Sequence, residues 1–299
     1  MIKQIIKVLK NINRNLRYNR KKKKLLNERL SFLKNGQIPW SRGYSEYKLE
    51  VISKNINDTE ILKTFNEKKI PKNYGYRLDE RVVEYPWIFS KLPIGNFKVL
   101  DAGSTFNFDY IVNHSVIKDK DLTIFTYSPE TNSFNNKRIS YVYGDLRSLP
   151  FKDNYYDIIV SQSTIEHIDM DNSIYGYNIN YNKELNKKSY EYLKAITEMI
   201  RVLKNNGSLL LTFPYGKFEN HGFFQQFDTE MVGEIEKLFE GAGKYKLTYF
   251  KSLKEGWILS TKKECDNEES FNPHTGKGKK DDLAAHSRAI CCVHFNKNK

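Results

Sequence analysis

The 299 residues of this chain lack long apolar stretches. No run of about eighteen apolar residues occurs, so the sequence predicts no transmembrane helix. The N-terminus also lacks the uninterrupted apolar core of a signal peptide. We therefore expect a cytoplasmic protein, with either one large α/β domain plus additions or two small domains.

Cysteine is scarce as well. The chain has three cysteines, Cys265, Cys291 and Cys292, and their spacing matches neither a metal site nor a disulfide framework. The last two are adjacent within the apolar run RAICCVHF, which is typical of a strand. We expect buried, reduced thiols and no metal centre.

Positive charge is concentrated at one end of the chain. The net charge is +13, and residues 1–34 contain twelve lysines and arginines against a single acid, Glu28. Apolar residues between Ile2 and Leu16 recur at helical spacing, opposite a basic face. Such a helix suits an anionic membrane surface, so we expect peripheral contact with the inner face of the membrane. Packing on the rest of the protein is the open alternative, and nucleic-acid binding ranks behind both because no aromatics are interleaved.

The sequence divides into three parts. Residues 1–39 form the basic tail. Hydrophobic periodicity separates the rest into residues 40–96, which have mainly helical spacing, and residues 97–299, which alternate between strand and helix patterns. This alternation predicts a mostly parallel sheet with helices on both faces. The predicted strands are 98–102, 121–127, 140–143, 156–162, 207–213, 245–251 and 288–295.

Three further local predictions follow from helix-breaking residues. The helical region 40–96 is interrupted at Pro86. The helix SYEYLKAITEMIRVLKNNG ends at Asn205-Asn206-Gly207, because such a run is typical of a helix C-terminus. The polar segment 262–287 is predicted to be a long surface loop.

Polar residues follow the predicted strands in a recurring order. The first strand ends in VLDAGS, the second is followed by Glu130, and the third by GDLRSLPF. The fourth is the segment DIIVSQSTIEHI, and LKNNGSLLL leads into the fifth. In an open parallel sheet, ligands bind at the carboxyl ends of the strands, so these turns predict a ligand site.

These five segments, in this order, resemble the class I S-adenosylmethionine-dependent methyltransferases of the small-molecule branch. The resemblance is clear over residues 98–215 and extends more faintly to residue 295. It implies a Rossmann-like, seven-stranded, mostly parallel sheet, with S-adenosyl-L-methionine as cofactor.

The loop after the first strand departs from the family. It keeps only Gly103, and Thr105 and Asn107 occupy positions where further glycines would be expected. A pyrophosphate needs close approach to the backbone, which a Cβ hinders. S-adenosylmethionine has no phosphate, and a turn lined by serine, threonine and asparagine can hydrogen-bond its amino and carboxylate groups. The missing glycines therefore count against NAD more than against a methyl donor.

The resemblance implies a set of cofactor-binding residues at the strand ends. The first turn would shape and bind the methionine end, the second would bind the ribose, and the third would bind the adenine. The fourth would face the sulfonium and the acceptor. In that order the residues are Asp101, Gly103 and Ser104, then Glu130, then Asp145 and Leu146, and finally Ser161 and Gln162.

The acceptor side of the site is predicted from residue chemistry. His167 follows the fourth strand and, with an ordinary pKa close to neutrality, can accept the proton of a hydroxyl acceptor. The alternative is a histidine that only packs. Polar and aromatic segments outside the sheet suggest that Arg81, Glu84, Tyr175 and Gln225 contact the acceptor. We expect methylation of an oxygen on a sugar, a glycan precursor or a small metabolite.

Three alternatives are open from the sequence. Tyr190 and Lys194 have the Y-x-x-x-K spacing of an NAD-dependent short-chain reductase, although the glycine loop is absent. The basic tail suits a nucleic-acid methyltransferase, but neither the Pro-Pro-aromatic turn nor the Pro-Cys nucleophile occurs. The lost glycines also suit a non-catalytic, membrane-associated protein of methyltransferase fold.

Overall fold

A computed structural model describes residues 20, 23–134, 138–176, 184 and 186–299. Most of the predicted amphipathic helix lies outside the described residues; residues 23–34 are helical. Within the described ranges, no helix has the length and apolar character needed to cross a bilayer.

The centre of the fold is an eight-stranded sheet with the order β3-β2-β1-β4-β5-β10-β8-β9. Strands β1 to β5 are parallel, and β10 runs antiparallel to both β5 and β8. The strands are β1 Lys98–Ala102, β2 Asp121–Thr126, β3 Ile139–Tyr143, β4 Tyr156–Gln162, β5 Leu203–Pro214, β8 Gly243–Leu253, β9 Gly256–Ser260 and β10 Ala289–Lys297. A separate short pair consists of β6 Glu219–Asn220 and β7 Gln225–Gln226.

The predicted Rossmann-like, mostly parallel sheet is confirmed. All seven predicted strands form, and an eighth, β9, adds to the edge by pairing antiparallel with β8. The chain moves outward from β1 to β3 and then returns to place β4 beside β1. Strand order therefore reverses between β1 and β4, which is where ligands bind in folds of this kind.

Helices cover both faces of the sheet. They are α1 Tyr44–Ile56, α2 Thr59–Glu67, α3 Arg81–Phe89, α4 Asp109–Val112, α5 Tyr192–Val202, α6 Thr229–Phe239 and α7 Lys262–Cys265, with 3-10 turns at Ile165–His167 and Ser173–Tyr175. Three of them have side-chain N-caps. Asp58 accepts from two backbone amides at the start of α2, Asp228 accepts from one at the start of α6, and the Thr261 hydroxyl accepts from one at the start of α7. Such caps satisfy amides that the helix itself leaves unpaired.

Pro86 does not interrupt its helix, contrary to the sequence prediction, and lies inside α3. Proline cannot donate the usual hydrogen bond to the carbonyl four residues earlier, which belongs to Val82. The Tyr74 hydroxyl donates to that carbonyl instead, at 2.7 Å. A side chain from outside the helix thus satisfies the acceptor that proline leaves open.

One other predicted boundary is wrong, and a second prediction is wrong in part, since residues 266–287 do form a loop without helix or strand. Helix α5 ends at Val202, before the Asn-Asn-Gly run, because Leu203 already pairs with Tyr156 of β4. The segment 262–287 begins with α7, and its residues Ser270 and Phe271 are buried. Sheet pairing and packing override the local turn signals in both places.

Each face of the sheet has its own hydrophobic cluster. One cluster joins α1 to α3 with sheet residues such as Val99 and Val160, and the other joins α5 and α6 with residues such as Leu100 and Leu211. Adjacent Cys291 and Cys292 point to opposite faces and are both fully buried. Burial of about 25 cal/mol per Å² of apolar surface is the main force that holds such layers together. The helices within 40–96 therefore share a core with the sheet.

Candidate active site

A cleft of about 250 Å³ opens at the carboxyl ends of β1 to β4, and we call it the strand-end cleft. It lies at the point where the strand order reverses, as expected for a ligand site in such a sheet. Its wall is formed by Arg81, Gly103, Thr105, Phe125, Thr126, Tyr127, Glu130, Gly144, Leu146, Ser163, Thr164, His167, Ile168, Asn172 and Tyr175.

Gly103 forms the first turn of the strand-end cleft. Its φ is +128°, and a Cβ built there would lie 2.1 Å from the Thr164 hydroxyl. Its amide donates to the Phe125 carbonyl at 3.0 Å, which ties the turn to β2. Because only glycine lacks a Cβ, this position permits the close approach of the β1 and β4 loops.

Asp101 holds the loop that follows β1. Its buried carboxylate accepts hydrogen bonds from the Phe106 amide at 2.7 Å and from the Thr105 amide and hydroxyl at 3.1 and 3.0 Å. Burial raises the pKa of Asp101 to about 7, and the charge of Glu130 acts in the same direction. Asp101 therefore fixes the shape of the loop, and both of its carboxylate oxygens already accept hydrogen bonds from the protein.

The residues that replace the usual glycines do not close the strand-end cleft. Glu130 accepts from the Ser104 hydroxyl at 2.7 Å and from the Asn107 side-chain amide at 2.8 Å. These two side chains are buried and turned toward Glu130, whereas Thr105 lies in the wall. Polar contacts with Glu130 thus take the place of the glycine loop.

The turn after β3 places its two predicted residues differently. Leu146 lies in the wall of the strand-end cleft. Asp145 is turned toward Arg147, which donates to both carboxylate oxygens at 2.7 to 3.1 Å. Burial opposes ionisation of Asp145, but the hydrogen bonds from Arg147 outweigh it and lower the pKa of that carboxyl. A bond from Asp145 to an adenine would have to compete with this ion pair.

Ser161 and Gln162 do not face the cleft, contrary to the prediction. Both belong to β4 and are fully buried behind the wall. The two residues that follow them, Ser163 and Thr164, lie in the wall instead. Strand β4 ends at Gln162, as predicted, but its last two side chains are packed inside the fold, and the side chains that reach the cleft are those of the next two residues.

Glu84 supports the wall rather than lining it, which corrects its assignment as an acceptor contact. It is fully buried in α3, and its carboxylate accepts from Arg81 at 2.9 Å, from the Ser163 hydroxyl at 2.5 Å and from the Thr212 hydroxyl at 2.6 Å. Burial raises the pKa of Glu84 despite the nearby charge of Arg81. This carboxylate positions two residues of the wall, Arg81 and Ser163.

Gln225 is also a structural residue, which corrects the second acceptor assignment. Its side chain is fully buried, its oxygen accepts from the Ser189 amide at 3.1 Å, and its nitrogen donates to the Ser189 carbonyl at 2.9 Å. Both polar atoms are therefore used within the fold.

A second cavity of about 300 Å³ adjoins the strand-end cleft, and we call it the adjacent cavity. The two share four residues, Arg81, Ser163, His167 and Tyr175. Arg81 and Tyr175 therefore lie in the wall of both cavities, and their contact with an acceptor stays a prediction. The rest of the wall is formed by Trp40, Lys48, Asp79, Glu80, Glu166, Phe223, Phe224, Pro273, His274 and His286.

His167 lies on the boundary between the two cavities. Its Nδ1 is 2.6 Å from the Phe223 carbonyl, and because a carbonyl only accepts, Nδ1 must carry the proton. Nε2 is then the basic atom of the neutral ring. Burial lowers the pKa of His167 to about 4, and the positive charges of Arg81 and His286 act in the same direction. The imidazole is therefore neutral at physiological pH.

Sequence reasoning missed Glu80 and His286, which lie in the wall of the adjacent cavity. Glu80 accepts from His286 Nδ1 at 2.8 Å, although the two residues are 206 positions apart in the chain. Glu166 lies in the same wall and is 2% exposed. No local pattern could have linked these residues, because only the packing of the 3-10 turn, α3 and the segment before β10 brings them together.

The residues of the alternative reductase motif lie elsewhere. The Tyr190 hydroxyl donates to Glu230 at 2.6 Å, and the Lys194 ammonium donates to Glu191 at 2.7 Å. Both contacts are on the surface, and neither residue lines the strand-end cleft. Tyr190 precedes helix α5 and Lys194 lies inside it, so the two residues of the Y-x-x-x-K spacing do not form a reductase site here.

The sequence matches a family model described as a methyltransferase domain over residues 117–211. The matched segment contains β2, β3 and β4, whose ends border the strand-end cleft. None of the curated proteins matches the sequence significantly.

Several solved structures are similar to this chain. For the YcgJ protein of Bacillus subtilis, the TM-score is 0.44 at 12% identity, covering 69% of this chain and 94% of that chain. A methyltransferase of Thermotoga maritima, described as a possible histamine N-methyltransferase, has a TM-score of 0.42 at 13% identity, covering 83% and 99%. The 1,6-didemethyltoxoflavin-N1-methyltransferase of Burkholderia thailandensis, with S-adenosylhomocysteine bound, has a TM-score of 0.40 at 10% identity, covering 69% and 72%.

Proposed function

We propose that this chain, a class I S-adenosylmethionine-dependent methyltransferase, methylates a hydroxyl oxygen on a small polar acceptor, namely a sugar, a glycan precursor or another small metabolite. One observation carries the choice of oxygen. His167 lies on the boundary between the strand-end cleft and the adjacent cavity, neutral and with Nδ1 already bonded to Phe223. A neutral base at this boundary suits an acceptor that must lose a proton.

The strand-end cleft suits the methyl donor. When bound, S-adenosyl-L-methionine supplies an electrophilic methyl group on a positively charged sulfur. Gly103 and Thr105 would border its methionine end, Glu130 its ribose and Leu146 its adenine. Gly103 fits because its missing Cβ leaves room between the loops. Around Gly103, Thr105 and Glu130 the available groups are a hydroxyl, backbone groups and one carboxylate, which suit amino and ribose groups better than a diphosphate.

The chain's own residues would act mainly by orientation. Glu84 holds Arg81 and Ser163 at the boundary of the two cavities, so the wall against which the acceptor lies is rigid. Holding an acceptor oxygen in line with its reaction partner removes much of the entropic barrier of a bimolecular step. His167 Nε2 would accept the hydroxyl proton as the new oxygen–carbon bond forms. Its Nδ1–H would stay on the Phe223 carbonyl throughout.

The first test separates binding from transfer. Calorimetry should show that S-adenosylhomocysteine binds and that NAD(H) does not. Transfer to a panel of small sugars and hydroxylated metabolites is then measured by mass spectrometry. His167→Gln should lose about a hundredfold or more in rate while binding S-adenosylhomocysteine within about twofold of the wild type.

The matched control is His294→Asn on β10, on the sheet and outside both cavities. It should transfer at the wild-type rate. Equal rates for His167→Gln and the wild type would contradict the assignment of the base. Preferred binding of NAD(H) would contradict the cofactor site.

We extend the proposal to the organisation of the chain. Residues 97–299 form the methyltransferase domain, residues 40–96 form its helical cap, and residues 1–39 form a basic tail that contacts an anionic membrane surface. The burial of α1 to α3 against the sheet supports the role of the cap, and the charge of residues 1–34 supports that of the tail. Cosedimentation with phosphatidylserine vesicles, compared with phosphatidylcholine vesicles, tests the tail. Equal binding to both would contradict it.

A further inference from the structure

Trp40 is a half-exposed aromatic residue in the wall of the adjacent cavity. Of the three tryptophans in the chain, Trp40 is 48% exposed, whereas Trp87 and Trp257 are each 1% exposed. A large aromatic side chain normally gains from burial, so one left open in a concave wall indicates a surface on which a ligand packs. The described wall of the strand-end cleft does not include Trp40. The part of a ligand that reaches Trp40 therefore lies away from the cofactor.

The fold holds Trp40 in a fixed position. Its indole N–H donates to the carbonyl of Ala285, 245 positions away in the chain. On α1, the Tyr44 ring lies 4.8 Å from the Trp40 ring, and the Lys48 ammonium lies 5.2 Å from it. The φ of Trp40 is +64°, which is uncommon for a residue other than glycine and persists only where the surrounding structure holds it. The ring is thus ordered before a ligand arrives, which lowers the entropic cost of binding.

The exposed part of Trp40 is a carbon surface. Because the indole N–H is already bonded to Ala285, a ligand meets ring carbons rather than a hydrogen-bond donor. Most other residues of the cavity wall are polar or charged, and they include Lys48, Asp79 and Arg81. An aromatic surface in such a wall suits a ring with an apolar face and a polar rim. A pyranose sugar is a ring of this kind, because its axial C–H groups form an apolar face and its hydroxyls project from the edge.

The position of Trp40 also fits the proposed reaction. His167 and Tyr175 line both cavities, whereas Trp40 lines the adjacent cavity. A sugar stacked on Trp40 would lie in the adjacent cavity and direct one hydroxyl to the boundary at which His167 lies. The cavity volume of about 300 Å³ is in the range of sites for small molecules.

We propose that Trp40 binds the acceptor in the adjacent cavity by stacking its exposed indole carbons on the C–H face of a sugar ring. The stacking orients the ring so that one hydroxyl reaches His167. Trp40 is then a specificity residue, because an axial hydroxyl on the stacked face would separate the two rings. The inference rests on the proposed function, since it takes the adjacent cavity as the acceptor site.

The first test uses the fluorescence of the full chain saturated with S-adenosylhomocysteine. Trp87 and Trp257 are buried, so quenching by acrylamide reports mainly on Trp40. Methyl β-D-glucopyranoside, methyl β-D-galactopyranoside and methyl α-D-mannopyranoside are titrated in turn. The glycoside that binds best should shift the emission to shorter wavelength and reduce the quenching as it covers the indole.

The second test measures affinities by ligand-observed NMR. Trp40→Leu removes the flat ring and should weaken binding of the best glycoside by about tenfold. Trp40→Phe keeps a ring but loses the bond to Ala285, so it should weaken binding by about threefold. The matched control is Tyr143→Leu, which removes a 45% exposed ring outside both cavities and should bind as the wild type does. Catechol, a flat aromatic alcohol, should bind the wild type more weakly than the best glycoside does.

Several results would overturn the inference. They are the binding of no glycoside, tighter binding of catechol, unchanged glycoside affinity in Trp40→Leu, or protection of Trp40 by phosphatidylserine vesicles but not by a glycoside. The last result would place Trp40 at a membrane surface instead. If Trp40→Leu did not fold, the quenching of the wild-type chain would still decide.

These results are independent of the tests of the proposed function. The folded variants should bind S-adenosylhomocysteine within about twofold of the wild type, and the effect of His167→Gln is measured on transfer. A failure of the Trp40 inference is therefore distinguishable from a failure of the proposed function.

Discussion

His167 Nδ1 lies 2.6 Å from the backbone carbonyl of Phe223, a residue of the turn between β6 and β7. This bond connects the loop after β4 to a turn that also contributes two aromatic rings to the adjacent cavity. It sets the tautomer of the imidazole and leaves Nε2 as its basic atom. The position of the proposed base therefore depends on how the short β6–β7 pair packs.

The pH dependence of transfer tests the state of His167. Because burial lowers the pKa of His167 to about 4, the ring is neutral well below the usual range of histidine. We expect kcat/KM to stay level from about pH 8 down to about pH 5.5 and to fall only at lower pH. An inflection near the ordinary histidine value, about 6.5, would contradict this assignment.

Replacement of Gly103 tests the close approach of two loops. In Gly103→Ala the added Cβ would collide with Thr164, and the residue would have to keep a φ of +128°. We expect a loss of roughly 1–3 kcal/mol in the free energy of unfolding and weaker binding of S-adenosylhomocysteine. Gly233→Ala, at a helix position with open space around it, is the control and should be neutral or stabilising. Denaturant unfolding would measure the free energy of unfolding, and calorimetry would measure the binding of S-adenosylhomocysteine. Equal values for the two variants would contradict the predicted collision with Thr164.

Removal of Glu84 tests the support of the wall. Glu84→Leu leaves Arg81 without its carboxylate and removes the acceptor of the Ser163 and Thr212 hydroxyls. We expect a destabilisation of about 2–3 kcal/mol and a lower transfer rate. Glu84→Gln keeps an acceptor oxygen and should be less affected in both measurements. If Glu84→Leu unfolded at the wild-type denaturant concentration, the carboxylate would not be supporting these residues.

The hydroxyl of Tyr74 tests the account of the helix that contains Pro86. Tyr74→Phe leaves the Val82 carbonyl of α3 unpaired and also removes the acceptor of Asn55. Leaving buried polar groups unpaired should cost about 1–3 kcal/mol of unfolding free energy. Tyr143→Phe, at an exposed position on β3, should change it by less than about 0.5 kcal/mol. Urea denaturation of both variants would measure these changes. Equal unfolding midpoints would show that the Tyr74 hydroxyl does not stabilise the helix that contains Pro86.

Local pattern predicted most of the sheet but not its edge or its helix boundaries. The seven strands were visible because alternating or continuous apolar residues between turn signals depend only on near neighbours. Strand β9 was missed because it is a short hairpin partner of β8. The sequence predicts a break at Pro86 because the partner of the Val82 carbonyl, Tyr74, belongs to another segment.

The candidate site was predicted in its position better than in its individual residues. Gly103 and Leu146 follow strand ends and line the strand-end cleft, and Asp101, the second-to-last residue of β1, holds the loop beside it. Gln225 and Glu84 were assigned to the acceptor because they are polar beside aromatic residues, but both are buried and fully engaged within the fold. Polarity in a sequence does not distinguish a group that binds a ligand from one that satisfies the backbone.

By itself, the sequence determined the alternation of strands and helices, the polar turns at the strand ends and, through them, the edge of the sheet where a cofactor would bind. Only the tertiary structure decided which carboxylates are used inside the fold and which line a cavity, and that Glu80 and His286 meet across 206 positions. The physical reason is the range of each interaction. Periodicity and turn geometry act between near neighbours, whereas burial and hydrogen-bond pairing depend on segments that only the packed fold brings together.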